Sequence, residues 1–305
     1  ISYQLARKLF TSCRDEYLLP SKLHDGYLHG SITASPQEVK LRQDGIDGAY
    51  VFSPVVDLYR SPSHVGVLDF NSLYPSIIMR HNICHTTFIH SVEYAKKLGL
   101  REEDLYFAPS GDDGQPGAIF VREHVRRGII PTIVKDLIDK RTETRALMKE
   151  VKDDPVLLSA LESIQLQYKT GSNAMYGQFA ARRSPLCLMS AGISITRYGK
   201  SYIHRVSEYI NTLGYQTIYG DTDSCFISIP CENVDDGRLK FAEIQRKVNI
   251  ESGILQSPMK VGLDSYNIAF LLVAKKMYAA SKIPVEPGSH VKPKIVVKGM
   301  SFVKR

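Results

Sequence analysis

Tyr215-Gln216-Thr217-Ile218-Tyr219-Gly220-Asp221-Thr222-Asp223-Ser224-Cys225-Phe226-Ile227-Ser228-Ile229 is the stretch that decides the fold. β-Type residues run from Tyr215 to Tyr219 and again from Cys225 to Ile229, with turn formers between them. The pattern predicts a β-hairpin with two carboxylates at its tip. A second strand-like run, Val65-Gly66-Val67-Leu68-Asp69-Phe70, also ends at an acid. Beyond it, Ser72-Leu73-Tyr74-Pro75-Ser76 turns into helical spacing through about Asn82.

If hairpin and strand lie side by side in one sheet, Asp69, Asp221 and Asp223 share one spot. Two unit charges ~4 Å apart at an effective dielectric of ~20 repel by about 4 kcal/mol, so the cluster needs protons or cations. Hard oxygen ligands without His or Cys point to magnesium rather than zinc. Taken singly, D-x-D is also ordinary turn chemistry. An EF-hand is excluded: counting from Asp221, Glu232 falls at loop position twelve, but position six is Phe226 where the sharp turn requires Gly.

Upstream, Pro131 suits a first helical turn, and Val134, Leu137, Ile138 and Met148 keep helical spacing until Asp153-Asp154-Pro155 breaks it. A second helix from Pro155 to about Tyr176 makes an antiparallel helical hairpin. Arg141 and Arg145 fall inside the stripe of Val134, Ile138 and Met148, where guanidinium groups need an anion such as a triphosphate. Ion pairing with Asp139 and Glu143 on a solvated face is the alternative. Lys169, Asn173 and Tyr176 share a face of the second helix, and Gly177 beside them leaves backbone open to a flat partner. Ser190 to Leu213 reads as a further helix. Residues 1–60 read as an irregular leader with strands, and residues 101–117 as a surface loop. The pairs Asp112-Asp113, Asp153-Asp154 and Asp235-Asp236 read as solvated loops. His81 and His85, i and i+4 after the first acidic strand, admit a metal reading with Cys84 or a packed neutral one.

The chain of 305 residues is 43% hydrophobic, enough to bury one large or two modest domains. It opens at Ile1 and stops at Arg305 after a strand-like run, which reads as part of something longer. No stretch reaches the roughly 18 apolar residues of a membrane span, so no membrane role is expected. Five cysteines without a C-x-x-C pair argue against a disulfide framework or a cysteine zinc site and favour a reducing compartment. Residues 275–305 hold eight Lys or Arg against one Glu, so the whole formal charge of +7 sits there. Such a localised basic segment suits a polyanion, since each neutralised phosphate releases counterions.

Three stretches, in order and spacing, resemble the polymerase motifs of the family B DNA polymerases. They are Asp69-Phe70-Asn71-Ser72-Leu73-Tyr74-Pro75-Ser76-Ile77, Lys169-x3-Asn173-x2-Tyr176-Gly177 and Tyr219-Gly220-Asp221-Thr222-Asp223-Ser224. Gly48-Ala49 to Pro54 resembles the link between exonuclease and palm, Lys275-Lys276-Met277-Tyr278 the lysine-tyrosine motif, and Lys298-Gly299 to Arg305 the start of the thumb. The likeness covers about residues 45–305. It implies an α+β fold: an antiparallel palm sheet backed by helices, from residues 61–123 and 182–305, interrupted by helical-hairpin fingers at 124–181, with residues 1–60 leading in.

The resemblance further implies two Mg2+ ions on Asp69, Asp223 and the Phe70 carbonyl, with Asp221 in the second shell or weakly bound. Ser72 and Leu73 amides, Arg141, Arg145 and Lys169 would grip the triphosphate, and Lys169 would act as general acid. Tyr74 would exclude a 2′-hydroxyl; Asn173, Tyr176 and Gly177 would line the nascent base pair; Lys275, Lys276 and Tyr278 would track the duplex. Implied partners are primer-template DNA, deoxynucleoside triphosphates and a processivity factor outside this segment, acting in a nucleus. Met277, Ala174 and Asp57 depart from the family's usual residues without removing a chemical role. His81-Asn82-Ile83-Cys84 with Thr86-Thr87 resembles herpesvirus-like enzymes, with a cellular replicative polymerase as the other reading.

Overall fold

The computed structural model describes Leu41 and residues 50–111, 114, 116–182, 184, 186–285 and 292–300. The expectations for the rest of the leader, Gly48-Ala49, Asp112-Asp113 and residues 301–305 lie outside the described residues. β1 (Asp57–Phe70) leads to α1 (Leu73–Arg80), followed by β2 (Phe88–Ile89), α2 (Val92–Lys97), β3 (Leu105–Phe107) and β4 (Ile119–Val121). Three long helices come next, α3 (Ile129–Glu150), α4 (Pro155–Ala180) and α5 (Met189–Thr212). After them run β5 (Gln216–Asp221), β6 (Ser224–Pro230), α6 (Val234–Ile250), β7 (Val261–Ala274), β8 (Met277–Ile283) and β9 (Lys294–Lys298). The class is α+β, as expected. Two compact units divide the chain: residues 1–48 with 74–198, and residues 49–73 with 199–305.

The second unit is built on a six-stranded sheet in the order β5-β6-β1-β7-β8-β9, every pair antiparallel. β1 is central, and Val65, Val67, Leu68 and Phe70 are all buried, which explains why its sequence reads as a nearly continuous apolar run. One face of its lower half takes α6, whose Phe241, Ile244 and Val248 repeat at helical spacing and are buried. The approach is close: a Cβ at Gly66 would stand 2.6 Å from the Phe241 ring and 2.9 Å from Ile229. Only glycine fits there without displacing the helix.

Asp235 and Asp236, read as a solvated loop, instead form the first turn of α6. Asn233 caps that helix by accepting from the Asp236 amide at 2.9 Å. The two acids sit at the positive end of the helix dipole and pair with Arg238 at 2.9 Å and Lys240 at 2.8 Å. Asp154 is likewise a cap, accepting from the amides of Val156 and Leu157 at the start of α4.

In the first unit, α3 and α4 form the predicted helical hairpin; α3 starts two residues before Pro131, and α4 runs on past Tyr176 to Ala180. Leu161, Gln165, Ser172, Met175 and Phe179 give α4 one buried stripe. The stretch read as a surface loop at 101–117 contributes β3 to a small sheet in the order β2-β4-β3. Three residues are too few for alternation to show. Asn82 fastens this region: its amide donates to the carbonyls of Val121 at 2.8 Å and Arg126 at 2.7 Å, and its side-chain oxygen accepts from the Gly128 amide at 2.8 Å. That fixes the point from which α3 starts.

Gly66→Val tests the α6 contact. Overpacking of this kind costs about 1 to 3 kcal/mol, so the urea midpoint of the protein should fall, and Phe241→Ala combined with it should restore part of the loss.

Candidate active site

The β5–β6 turn and the end of β1 are held together by backbone geometry before any side chain is considered. In register, Asp69 on β1 stands opposite Ser224 on β6, and Ser224 stands opposite Asp221 on β5. Thr222 takes a positive φ of 61°, and the Asp223 amide donates to the Asp221 carbonyl at 2.7 Å, which closes the turn. The Phe70 amide then donates to the Asp223 carbonyl at 2.8 Å. Asp69, Asp221 and Asp223 therefore line one cleft of about 490 Å³. Residues 50–52 clamp the hairpin from outside: the Thr222 amide donates to the Tyr50 carbonyl at 3.1 Å and the Phe52 amide to the Gly220 carbonyl at 3.0 Å. The Phe52 ring lies so close that a Cβ at Gly220 would fall 2.1 Å from it.

Asp221 has a charge partner. Lys276 Nζ donates to its two carboxylate oxygens at 2.6 and 2.9 Å. Lys275 and Lys276 form the turn between β7 and β8, where Lys276 takes a positive φ of 61° and its amide donates to the Tyr219 hydroxyl at 2.8 Å. Lys275 Nζ donates to the Val51 carbonyl at 3.3 Å. Tyr278 is buried in the cleft floor, stacked on Phe270 with centroids 5.0 Å apart, and Lys298 stands over its ring. Hydrogen bonding to Tyr278 holds the Lys298 ammonium above its ordinary pKa. The cleft thus has an aromatic floor, acids at the strand ends and lysines along β8 and β9.

Among the described residues, no group of three or more His, Cys, Asp or Glu side chains is close enough together to hold a metal ion. The donors present are nonetheless of the right chemistry for a hard cation: Asp69 and Asp223 carboxylates, and the Phe70 carbonyl between them in sequence. Magnesium is commonly bound by one or two carboxylates, with water and substrate phosphate completing its shell, rather than by a closed protein cage. Asp221 is engaged by Lys276. Cys225, beside Asp69 in the sheet, offers no thiolate: burial, with the Asp69 charge, pushes its pKa up to about 12.

The first unit holds the remaining predicted residues except Ser72 and Leu73, which belong to the second. Arg141 lies on the α4 side of α3 and its Nε donates to Gln165 Oε1 at 3.2 Å. Burial, then the charge of Arg145, lowers its pKa. Arg145 is exposed, so the predicted inward stripe holds for Arg141 alone. Of the two acids in the alternative reading, Asp139 is engaged by Lys135 and Glu143 is exposed. Tyr74 and Tyr176 pack ring to ring, centroids 4.6 Å apart and planes at 45°. Lys169, Asn173 and Gly177 are exposed along one face of α4, and a Cβ at Gly177 would meet nothing within 4 Å. Ser72, with φ 52°, and Leu73 stand at the start of α1.

Sequence reasoning missed Lys282 and Asp264, which line the cleft, and the part of Tyr219 in holding the lysine turn. Tyr278, Ala280 and Lys282 alternate with strand period, so Lys282 was findable once β8 was recognised.

An antiparallel sheet backed by helices, with acids gathered at the ends of neighbouring strands, is the architecture of a polymerase palm. The chain matches the family described as DNA polymerase family B over residues 6–305, and it belongs to that family. It is similar to the DNA polymerase delta catalytic subunit of Bos taurus, 32% identical over 85% of this chain and 23% of that protein. The same subunit in Schizosaccharomyces pombe is 32% identical over 78% of this chain and 22% of its own length. In Oryza sativa it is 33% identical over 78% of this chain and 21% of its own length. The chain thus spans under a quarter of these relatives. All three come from cellular organisms. Enzymes of this family generally use divalent metal ions. No helix among the described residues is long and apolar enough to cross a membrane.

The histidine pair is structural. α1 ends at Arg80, so His81 and His85 do not share a helical face. His81 stacks on Tyr198 with centroids 3.6 Å apart, and His85 Nε2 is 3.1 Å from the Leu186 carbonyl. Burial lowers His81 to about 3, helped by the charges of Arg80 and Arg122, and burial lowers His85 to about 4 against the Leu186 hydrogen bond. With folded pKa values below the unfolded one near 6.5, the unfolded chain takes up protons first as pH falls. Stability should be intact above pH 6.5 and decline toward pH 4 by up to roughly 1.4 kcal/mol per pH unit for each histidine. Urea unfolding across that range should show this slope, and His85→Gln should reduce it.

Proposed function

We propose that the chain carries the palm and fingers of a template-directed DNA polymerase, transferring a nucleotide from a deoxynucleoside triphosphate to a primer 3′-hydroxyl with release of pyrophosphate. The palm is assigned to residues 61–123 and 182–305 and the fingers to 124–181. The supporting observation is the meeting of Asp69, Asp221 and Asp223, from distant parts of the sequence, in one lysine-edged cleft. Asp69, Asp223 and the Phe70 carbonyl would hold two magnesium ions. Those ions, when bound, lower the pKa of the primer hydroxyl and neutralise charge on the leaving pyrophosphate.

The protein's own residues do the rest. Arg141, Arg145, Lys169 and the amides of Ser72 and Leu73 bind and orient the triphosphate, which supplies proximity and charge stabilisation. Lys169, an exposed ammonium, donates a proton to the leaving pyrophosphate oxygen. Tyr74 selects the sugar: its ring is braced by Tyr176, so it resists displacement, and a 2′-hydroxyl meets it as a steric clash. Asn173, Tyr176 and Gly177 take the nascent base pair, with Gly177 offering an unobstructed backbone surface. Lys275, Lys276 and Tyr278 follow the primer duplex through its backbone and minor groove. We assign the reaction to a nucleus, which the likeness to delta catalytic subunits of eukaryotes supports, with any processivity partner bound outside these residues.

Primer extension by the full-length enzyme tests this reading. Removing a ligand worth several kcal/mol, Asp223→Asn should slow extension by about a thousandfold or more; a wild-type rate would refute the metal assignment. Tyr74→Ala should admit ribonucleotides while keeping extension with deoxynucleotides, and unchanged sugar choice would refute the gate. Lys276→Met should weaken primer-template binding and lower the salt slope of that binding by about 1, measured by fluorescence anisotropy.

A further inference from the structure

Asn82 and Cys84 take no part in the proposed chemistry, yet both reach the start of α3. α1 stops on Asn82, whose φ of 51° is a left-handed value that few residues other than glycine accept. The turn buries its side chain against the connection from β4 to α3, leaving it 1% exposed. The carboxamide grips both ends of that connection. Its Nδ2 donates to the carbonyl of Val121, the last residue of β4, at 2.8 Å and to that of Arg126 at 2.7 Å. Its Oδ1 accepts from the amide of Gly128, the residue before α3, at 2.8 Å. Cys84 Sγ accepts from the Ile130 amide at 3.4 Å. Gly128 has no side chain with which to cap α3, so two of the amides that a helix start leaves without partners are taken by side chains from the segment after α1. A carboxamide donates twice and accepts once here; a carboxylate would set an oxygen against two carbonyl oxygens.

We propose that Asn82 is a positioning residue for nucleotide binding: it locks the start of α3 to the end of α1, and so sets Arg141, on α3, relative to Tyr74, at the head of α1. The inference rests on the reading of those two residues as contacts of the triphosphate and the sugar. The lever is long. Arg141 stands twelve residues beyond Ile129, roughly 18 Å along the helix axis, so a tilt of about 3° at the start moves it by ~1 Å. A misplacement of that size costs a reaction about a hundredfold. At its other end α1 meets α4, where Tyr74 packs on Tyr176 with centroids 4.6 Å apart. α1 therefore bears on both arms of the helical hairpin, and Asn82 supplies the polar tie to α3.

Kinetics of the full-length enzyme test this with two variants that act from opposite sides. Asn82→Gly keeps the backbone turn and removes the carboxamide. Gly128→Ala leaves Asn82 in place and sets a Cβ 2.8 Å from its Oδ1 and 2.9 Å from the Cys84 Cβ. Each should raise the KM for the correct deoxynucleotide by about tenfold or more, per active site, with primer-template affinity as in wild type by fluorescence anisotropy. A role in folding alone would instead reduce the number of active sites at a wild-type KM. A wild-type KM in the active sites of either variant, or nucleotide and primer-template binding weakened together, would overturn the proposal. Amide hydrogen exchange of the wild-type protein needs no variant: Gly128 and Ile130 should stay protected when primer-template and nucleotide are bound, and loss of that protection would overturn it too. Failure of the catalytic reading shows separately, as extension unimpaired by Asp223→Asn.

Discussion

The antiparallel pairing of β1 with β6 is the constraint on which the site depends. It brings a strand that ends in Asp69 alongside a hairpin tipped by Asp221 and Asp223, and the Phe70 amide closes the junction on the Asp223 carbonyl. Like charges do not choose such proximity. The apolar core beneath them does, since Val65, Val67, Phe226 and Phe270 are buried in one cluster and fix the register two residues from the acids. A slip by one residue would turn Val67 and Asp69 together to the other face of the sheet and take the carboxylate out of the cleft. Burial of the strands is therefore what holds the carboxylates in place, and Lys276 relieves part of their repulsion by taking Asp221.

What was legible in the sequence were features written into contiguous residues. The hairpin around Asp221 and Asp223, the helix break at Asp153-Asp154-Pro155 and the long α5 all follow from local chemistry. The meeting of Asp69 with Asp223 is a long-range pairing; it followed from the order and spacing of motifs, and the coordinates place all three acids in one cleft. The two arginines divide instructively. Helical spacing put Arg141 and Arg145 on one stripe, but α4 packs only against the side that Arg141 faces, so Arg145 is left in solvent.

Elements read poorly where local and tertiary signals conflict. α6 begins with Asp235 and Asp236 after Asn233, which is polar turn chemistry and helix-capping chemistry at once. Only the later spacing of Phe241, Ile244 and Val248 separates the two. β3 is three residues long and is a strand because β4 pairs with it. His81 and His85 show the same limit: four residues apart suggests a shared helical face, but α1 stops at Arg80, and Asn82, with φ 51°, turns the chain so that the two rings stack on different partners, Tyr198 and Phe179.

The sheet's two faces add a subtler obstacle, and it explains why the cleft could not be read from alternation. Ser265 and Asn267 line the cleft, and so does Phe270, three residues after Asn267 rather than two or four. The ladder between β7 and β8 shifts between Asn267 and Ala269, and that between β1 and β7 shifts between Arg60 and Val65. Such a bulge inserts one residue and reverses which side chains point to which face. Strict alternation from Ser265 would have sent Phe270 away from the cleft and Leu271 into it. With the bulge, the aromatic floor of Phe226, Phe270 and Tyr278 continues beyond the carboxylates, and Leu271 and Val273 are turned to the opposite face. One irregularity in β7 therefore extends the cleft.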